Sequence, residues 1–305
     1  MSENVIEVRN FRKCYGDFVA VEDVSFVVRR GEIYGLLGPN GAGKTSTLES
    51  LEGLRSPDGG SLWVSGIDPS RDARALRNII GVQLQTSGLP ESITVHEAMR
   101  FFCAYHGVAP NNHLIQRLGL GDKVETQYSQ LSTGQQRRLA LALALAHDPP
   151  VLFLDEPTAG LDVATRTELH ELMLEKKQEG VTVLLATHDM AEAEEMADRI
   201  GILLRGRLVA TGTPMEITAT GAGLTKVSVR TENDCLSDGR AIFPAVETTL
   251  AKDAYHIYFS TGIGPTVSAI IEFVETQGDR LIDLRVERPS LEDRFLEITT
   301  AEVRS

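Results

Sequence analysis

A chain of 305 residues, 42% hydrophobic and 24% charged, is long enough to bury a full core and has the composition of a soluble globular protein. No apolar run reaches the ~20 residues of a membrane-spanning helix, and residues 1–4 show neither the basic flank nor the apolar core of a secretory signal. The net charge of −13 is spread along the chain, −7 over residues 1–215 (21 basic against 28 acidic) and −6 over 216–305 (9 against 15), which argues against a nucleic-acid-binding surface or a polybasic membrane patch.

From the N-terminus, residues 5–9 alternate as a strand, and residues 18–28 read as a second strand with a turn near Val21, Glu22 and Asp23. Tyr15 lies between them, before a Gly-Asp turn. Its ring reads equally well as a half-buried strand aromatic or as a platform for a nucleobase. Residues 33–37 form an apolar run, followed by Gly38-Pro39-Asn40-Gly41-Ala42-Gly43-Lys44-Thr45 and then a helix-compatible stretch. Strand, glycine-rich loop and helix are the setting in which this pattern cradles phosphates. The glycines let backbone N–H groups approach closely, and the helix start adds partial positive charge. Lys44 is placed to reach β- and γ-phosphates, and Thr45 to offer its hydroxyl to Mg²⁺. This loop is read as a nucleoside triphosphate site.

Residues 61–66 read as a short strand, residues 73–78 as a polar helix and residues 79–85 as an apolar run ending in Gln85. Thr94 and Glu97 have capping-box spacing and open a helix to about Tyr105. Residues 107–128 are polar and loop-rich. Ser132 and Gln135 repeat the capping-box spacing before a helix over 136–147 that is apolar almost all round. Ser132 and Gly134 sit where a helix start could receive an anion, although this fragment taken alone reads as an ordinary cap.

Residues 151–157 form an apolar strand ending in Asp155 and Glu156. At the carboxyl end of a buried parallel strand these two would hold Mg²⁺ and polarise an attacking water, respectively. Asp162 caps a helix to about Gln178, residues 181–187 form another buried strand, and His188 stands at its carboxyl end, suited to a γ-phosphate contact. A helix over 191–197 and a hairpin around Arg205-Gly206 complete this part. The cysteines, Cys14, Cys103 and Cys235, are odd in number and widely spaced, so neither a disulfide framework nor a metal knot is expected, and the seven histidines show no metal-ligand spacing.

Taken together and in this order, the pieces resemble the ATP-binding subunit of an ATP-binding cassette (ABC) transporter over residues 5–215. The motifs are GPNGAGKT at 38–45, LSTGQ at 131–135, VLFLDEP at 151–157, AGLD at 159–162 and THD at 187–189. The resemblance implies an α/β P-loop NTPase cassette with a mixed sheet core and a helical subdomain over about 87–147. It implies ATP contacts from Tyr15, Gly38, Asn40, Gly41, Gly43, Lys44, Thr45 and Ser46, and Mg²⁺ ligation by Thr45, Gln85 and Asp155. Gln85, Glu156 and His188 become catalytic, with Glu156 the general base. Ser132, Gly134 and Gln135 would serve the ATP of a second subunit, and Asp162 would lie on the loop that crosses the dimer. Thr133 departs from the family's usual Gly.

Residues 216–224 read as a linker and 225–305 as a small α+β domain, with strands near 225–231, 254–260 and 281–286 and a helix over 265–277 that presents Val267, Ile270, Ile271 and Val274. The run from Pro289 to Leu296 resembles the closing motif of ATPase subunits that serve exporters of drugs, lipids or polysaccharides. Its plainer reading is a capped surface helix with Leu291 and Phe295 packed inward. The implied protein is an ATPase on the cytoplasmic face of the membrane, working as a homodimer with a separate integral membrane permease and without nucleic acid. The alternative is a soluble cassette ATPase acting on ribosomes or DNA, whose paired cassettes, coiled-coil insertions and basic surface have no counterpart here. A P-loop kinase would leave residues 131–135 and His188 without a role.

Overall fold

Three largely apolar runs of the sequence, residues 33–37, 151–155 and 182–187, lie side by side as parallel strands, every residue buried. They belong to a computed structural model that describes residues 4–85, 88–219, 224–237, 242–287 and 290–304. The chain divides into two compact units, Met1–Thr213 and Pro214–Ser305.

The first unit begins with strands β1 (Asn4–Tyr15) and β2 (Phe18–Arg29), then β3 (Ile33–Leu37) and helix α1 (Lys44–Leu51). Next come β4 (Gly59–Val64), α2 (Ala73–Arg77) and β5 (Ile80–Gln83). Helices α3 (Val95–His106), α4 (Asn112–Arg117) and α5 (Thr133–Ala144) make the helical segment. Its expected first residue, Ser87, lies outside the described residues. The unit finishes with β6 (Val151–Asp155), α6 (Val163–Gln178), β7 (Thr182–Thr187), α7 (Met190–Met196), β8 (Arg199–Leu204) and β9 (Arg207–Gly212).

Strands β5-β6-β7-β3-β8 run parallel, and β9 returns antiparallel through Arg205-Gly206, both at positive φ as a tight hairpin requires. A second, antiparallel sheet has the order β2-β1-β4. Tyr34, Leu36, Phe153 and Leu184 of the larger sheet meet Leu48 and Leu51 of α1 and Phe11 and Val24 of the smaller one in a single core. Each such side chain contributes roughly 1.5–3 kcal/mol by burial. The outcome is the mixed α/β fold expected. Three local expectations are corrected. The first strand runs on to Tyr15 because left-handed Asn10 (φ 47) absorbs a register shift instead of ending it. The turn expected near residues 21–23 is a kink within continuous β2, with Asp23 at φ 53. The loop-rich stretch contains α4, capped by Asn111.

In the second unit, residues 216–219, expected as linker, belong to helix α8 (Pro214–Ala219); residues 220–223 lie outside the described residues. Strands β10 (Thr225–Thr231), β11 (Val246–Lys252), β12 (Tyr255–Ser260) and β13 (Leu281–Glu287) form an antiparallel sheet ordered β11-β12-β10-β13. Helix α9 (Ile263–Thr276) sets Ile270 and Val274 against Val227, Val229 and Tyr258. Ile271, expected on that face, is 37% exposed. Helix α10 (Leu291–Arg304) is capped by Ser290, whose Oγ accepts from Asp293 N at 3.2 Å; Leu291 is buried and Phe295 half-buried. Pro289 lies outside the described residues.

Candidate active site

The carboxyl ends of β3, β6 and β7 converge where ligands sit in open α/β sheets. From β3 the chain turns through 38–43 into α1, whose N-cap is Gly43 at φ 104 with no side-chain cap. Its first N–H groups are left for a ligand rather than a cap. A Cβ on Gly43 would fall 2.7 Å from the Ala20 carbonyl oxygen and 2.9 Å from Val21 Cγ2, so only glycine fits. Lys44 is buried at the loop's centre. Its Nζ donates to the Gly38 carbonyl at 2.7 Å and lies 3.5 Å from Glu156 Oε1.

Thr45 Oγ1 donates to Asp155 Oδ2 at 2.9 Å, joining the start of α1 to the end of β6. Asp155 is 4% exposed and its other oxygen, Oδ1, has no hydrogen-bond partner among the described residues. Burial pushes this carboxyl above its ordinary value; the Thr45 hydroxyl pulls it back, and neighbouring Glu156 pushes it up again. A buried carboxylate with an orphan oxygen beside a hydroxyl is the oxygen donor set that Mg²⁺ takes. Magnesium therefore fits these residues.

Glu156 follows at φ 52, a left-handed conformation for a non-glycine residue, and is 4% exposed. Its Oε2 lies 2.7 Å from His188 Nδ1, while Oε1 has no hydrogen-bond partner among the described residues. Its carbonyl accepts a hydrogen bond from Arg137 Nη1 of α5. Sequence reading missed Arg137. The available signal was an Arg pair just beyond Gln135, on a helix expected to be buried.

Tyr15, 39% exposed, places its hydroxyl 3.2 Å from Ser46 Oγ on the first turn of α1, with Arg55 Cζ 5.3 Å from its ring centroid. Asn40 and Gly41 are exposed on the loop. Gln85 is the exception: it is exposed on a bend beyond β5, with no hydrogen bond to Thr45 or Asp155.

Ser132, Gly134 and Gln135 begin α5 and form a second group. Ser132 Oγ accepts from Gln135 N at 3.2 Å, and Gln135 Oε1 accepts from Ser132 N at 2.9 Å. Ser132 and Thr133 face outward. A Cβ on Gly134 would lie 3.4 Å from Leu161 Cδ2, which brings the helix start beside exposed Asp162. Asp162 caps α6 through Thr165 N at 3.0 Å, a bond that lowers its carboxyl below the usual range. One chain thus unites Lys44, Thr45, Asp155, Glu156 and His188, and holds Ser132, Gly134 and Asp162 as a separate outward-facing edge.

The family described as ABC transporter matches residues 21–159. The chain is 42% identical over 226 residues to the probable multidrug ABC transporter ATP-binding protein YbhF of Escherichia coli, covering 72% of this chain and 39% of that protein. It is 35% identical over 307 residues to the daunorubicin resistance ATP-binding protein DrrA3 of Streptomyces coeruleorubidus, covering 98% of this chain and 97% of the relative. A Nod factor export ATP-binding protein I of Ralstonia nicotianae is 36% identical, with coverage of 99% and 96%. The solved ATP binding subunit of an ABC transporter superposes with a TM-score of 0.68 at 30% identity, over 72% of this chain and 94% of that one. By these matches and by its own phosphate loop, the chain belongs to the ATP-binding proteins of the ABC transporter family.

Proposed function

We propose that this chain hydrolyses ATP to power a membrane exporter, two cassettes closing on two ATP molecules and driving a separate permease. The observation that carries this reading is the single cluster in which Thr45 is bonded to Asp155 and His188 to Glu156 beside buried Lys44. Lys44 and the N–H groups of α1 bind the phosphates, and Tyr15 stacks on the adenine. Glu156, oriented by His188, draws the proton from the attacking water. Mg²⁺ held by Thr45 and Asp155 would neutralise charge on the transferring phosphoryl group. Gln85, on its exposed bend, joins this site on closure.

Ser132, Gly134 and Gln135 complete the site of a second copy, which is consistent with the exposure of Ser132 and Thr133 at the start of α5. A solved bacterial ABC transporter cassette with a dimeric structure, 27% identical with a TM-score of 0.62, supports the pairing. ATP binds the closed pair more tightly than the open one, so it shifts the population, and hydrolysis reverses the shift. No helix among the described residues is long and apolar enough to cross a membrane, so the transport path belongs to the permease, with this chain on its cytoplasmic face. The names of YbhF, DrrA3 and the Nod factor relative, which speak of multidrug transport, daunorubicin resistance and export, favour export.

The permease docks in a groove of about 650 Å³ walled by Leu54, Leu84, Phe101, Tyr105 and Leu143. Phe101 is 64% and Tyr105 60% exposed, an apolar face suited to an amphipathic cytoplasmic helix. Glu156→Gln traps the ATP-bound pair. Purified with Mg-ATP from detergent-solubilised membranes, it is expected to retain a polytopic membrane protein in simple ratio, and that protein should stimulate wild-type ATPase on reconstitution. Ribosomal or chromosomal partners with nothing from the membrane would overturn the reading in favour of a soluble ATPase.

A further inference from the structure

Helix α1 ends inside the groove just described. Its C-cap is Glu52, and Gly53, at φ 73, turns the chain away; a Cβ there would meet the Pro69 carbonyl oxygen at 3.0 Å. The Glu52 side chain lines the groove yet is only 5% exposed, and its Oε2 has no hydrogen-bond partner among the described residues. Arg77, on the same wall, donates its Nε to the Ala73 carbonyl at 2.9 Å, and no ion pair joins it to Glu52. The acidic groups that act on Glu52 are Asp155 and Glu49, both of the same sign. Buried carboxylates are normally paired. This one lines a cleft whose other walls are apolar apart from Arg77 and the stacked His106 and His147, and no ion pair joins it to a cation among the described residues.

We propose that Glu52 is the specificity-determining residue of the docking groove and receives a Lys or Arg side chain from the permease helix that fills it. The assignment rests on the exporter reading above. It adds a charge requirement that the apolar walls alone would not impose. Burial and the two neighbouring acids push the Glu52 carboxyl up to about 8, so the uncoupled groove holds it largely protonated, and an arriving cation draws the proton off.

The test uses the membrane protein captured with Glu156→Gln, held in detergent, as its probe. Photo-cross-linking from benzoylphenylalanine at Leu54 is expected to label a cytoplasmic segment that carries a Lys or Arg. Glu52→Gln, which keeps the shape of the side chain, should weaken binding of that protein ~10-fold or more. Glu52→Lys combined with Glu in place of the labelled basic residue should restore it. A cross-linked segment without a basic residue, or undiminished binding by folded Glu52→Gln, overturns the role of Glu52 while leaving the exporter reading intact. Capture of no membrane protein at all removes both.

Discussion

His188 Nδ1 stands 2.7 Å from Glu156 Oε2, linking the ends of two neighbouring parallel strands across the point where β6 and β7 deliver their last residues. Glu156 sits at φ 52, and its carboxylate has few other tethers. His188→Ala is expected to lower kcat for ATP hydrolysis by ~10²-fold or more, with ATP affinity near that of wild type. Phosphate release and fluorescent-nucleotide binding, measured in parallel, check this. An equal loss of both would mean that His188 holds the fold of the site instead of its base.

The bond from Thr45 to Asp155 predicts a metal-specific defect. Asp155→Asn keeps a partner for Thr45 and removes the charge, so ATP binding should lose its dependence on Mg²⁺. Titration with and without chelator reads this directly. A chelator effect as large as in wild type would place the metal elsewhere.

Glu52 makes stability depend on pH in a stated direction. Its folded carboxyl stands at about 8 against an ordinary 4.5. Below pH 4.5 the folded and unfolded chains both carry the proton, and the group's contribution is fully present. As pH rises toward 8, the unfolded chain releases the proton and the folded chain retains it, so stability falls through this window. Glu52→Gln cannot titrate. Its melting temperature relative to wild type should therefore climb between about pH 4 and pH 8.5, a window that spans both 4.5 and 8; parallel curves would show that Glu52 does not change protonation on folding.

Ser132→Ala separates the two halves of the proposed composite site. The lost cap costs about 1 kcal/mol, which the first unit should tolerate. ATP binding by the isolated chain should persist, whereas ATP-driven dimerisation of the Glu156→Gln form should fail in size-exclusion chromatography with light scattering.

Gly81 of β5 lies against α5 so closely that a Cβ would fall 2.1 Å from the Ala144 carbonyl oxygen and 2.8 Å from Pro149 Cγ. Gly81→Ala should destabilise the first unit by about 1–3 kcal/mol, read by denaturant unfolding. An unchanged midpoint would show that the last turn of α5 can move aside freely.

The candidate site was legible because its residues are local in sequence: Gly43, Lys44 and Thr45 are consecutive, and Asp155 and Glu156 close an apolar run whose burial follows from its composition. What escaped was non-local or conformational. Arg137 reaches Glu156 across 19 positions, and no periodicity announces such a contact. Asn10 and Asp23 kink strands without ending them, so β1 ran longer than its alternation suggested. The seven residues of β11 are nearly all exposed, which leaves no apolar alternation to detect. Glu52, at the end of α1, belongs to no sequence motif, and only the groove around it sets it apart.

The contact at Gly81 also has a mechanical meaning. With its last turn pressed onto β5, α5 has a fulcrum at one end and carries Ser132 at the other, 12 residues away. That is a lever arm of ~18 Å. A tilt of only ~10° about the fulcrum would sweep the Ser132 end through ~3 Å, about the length of one hydrogen bond. A strand-side glycine can thus set the gearing of the helix, making a small rotation at one end large enough to make or break a phosphate contact at the other.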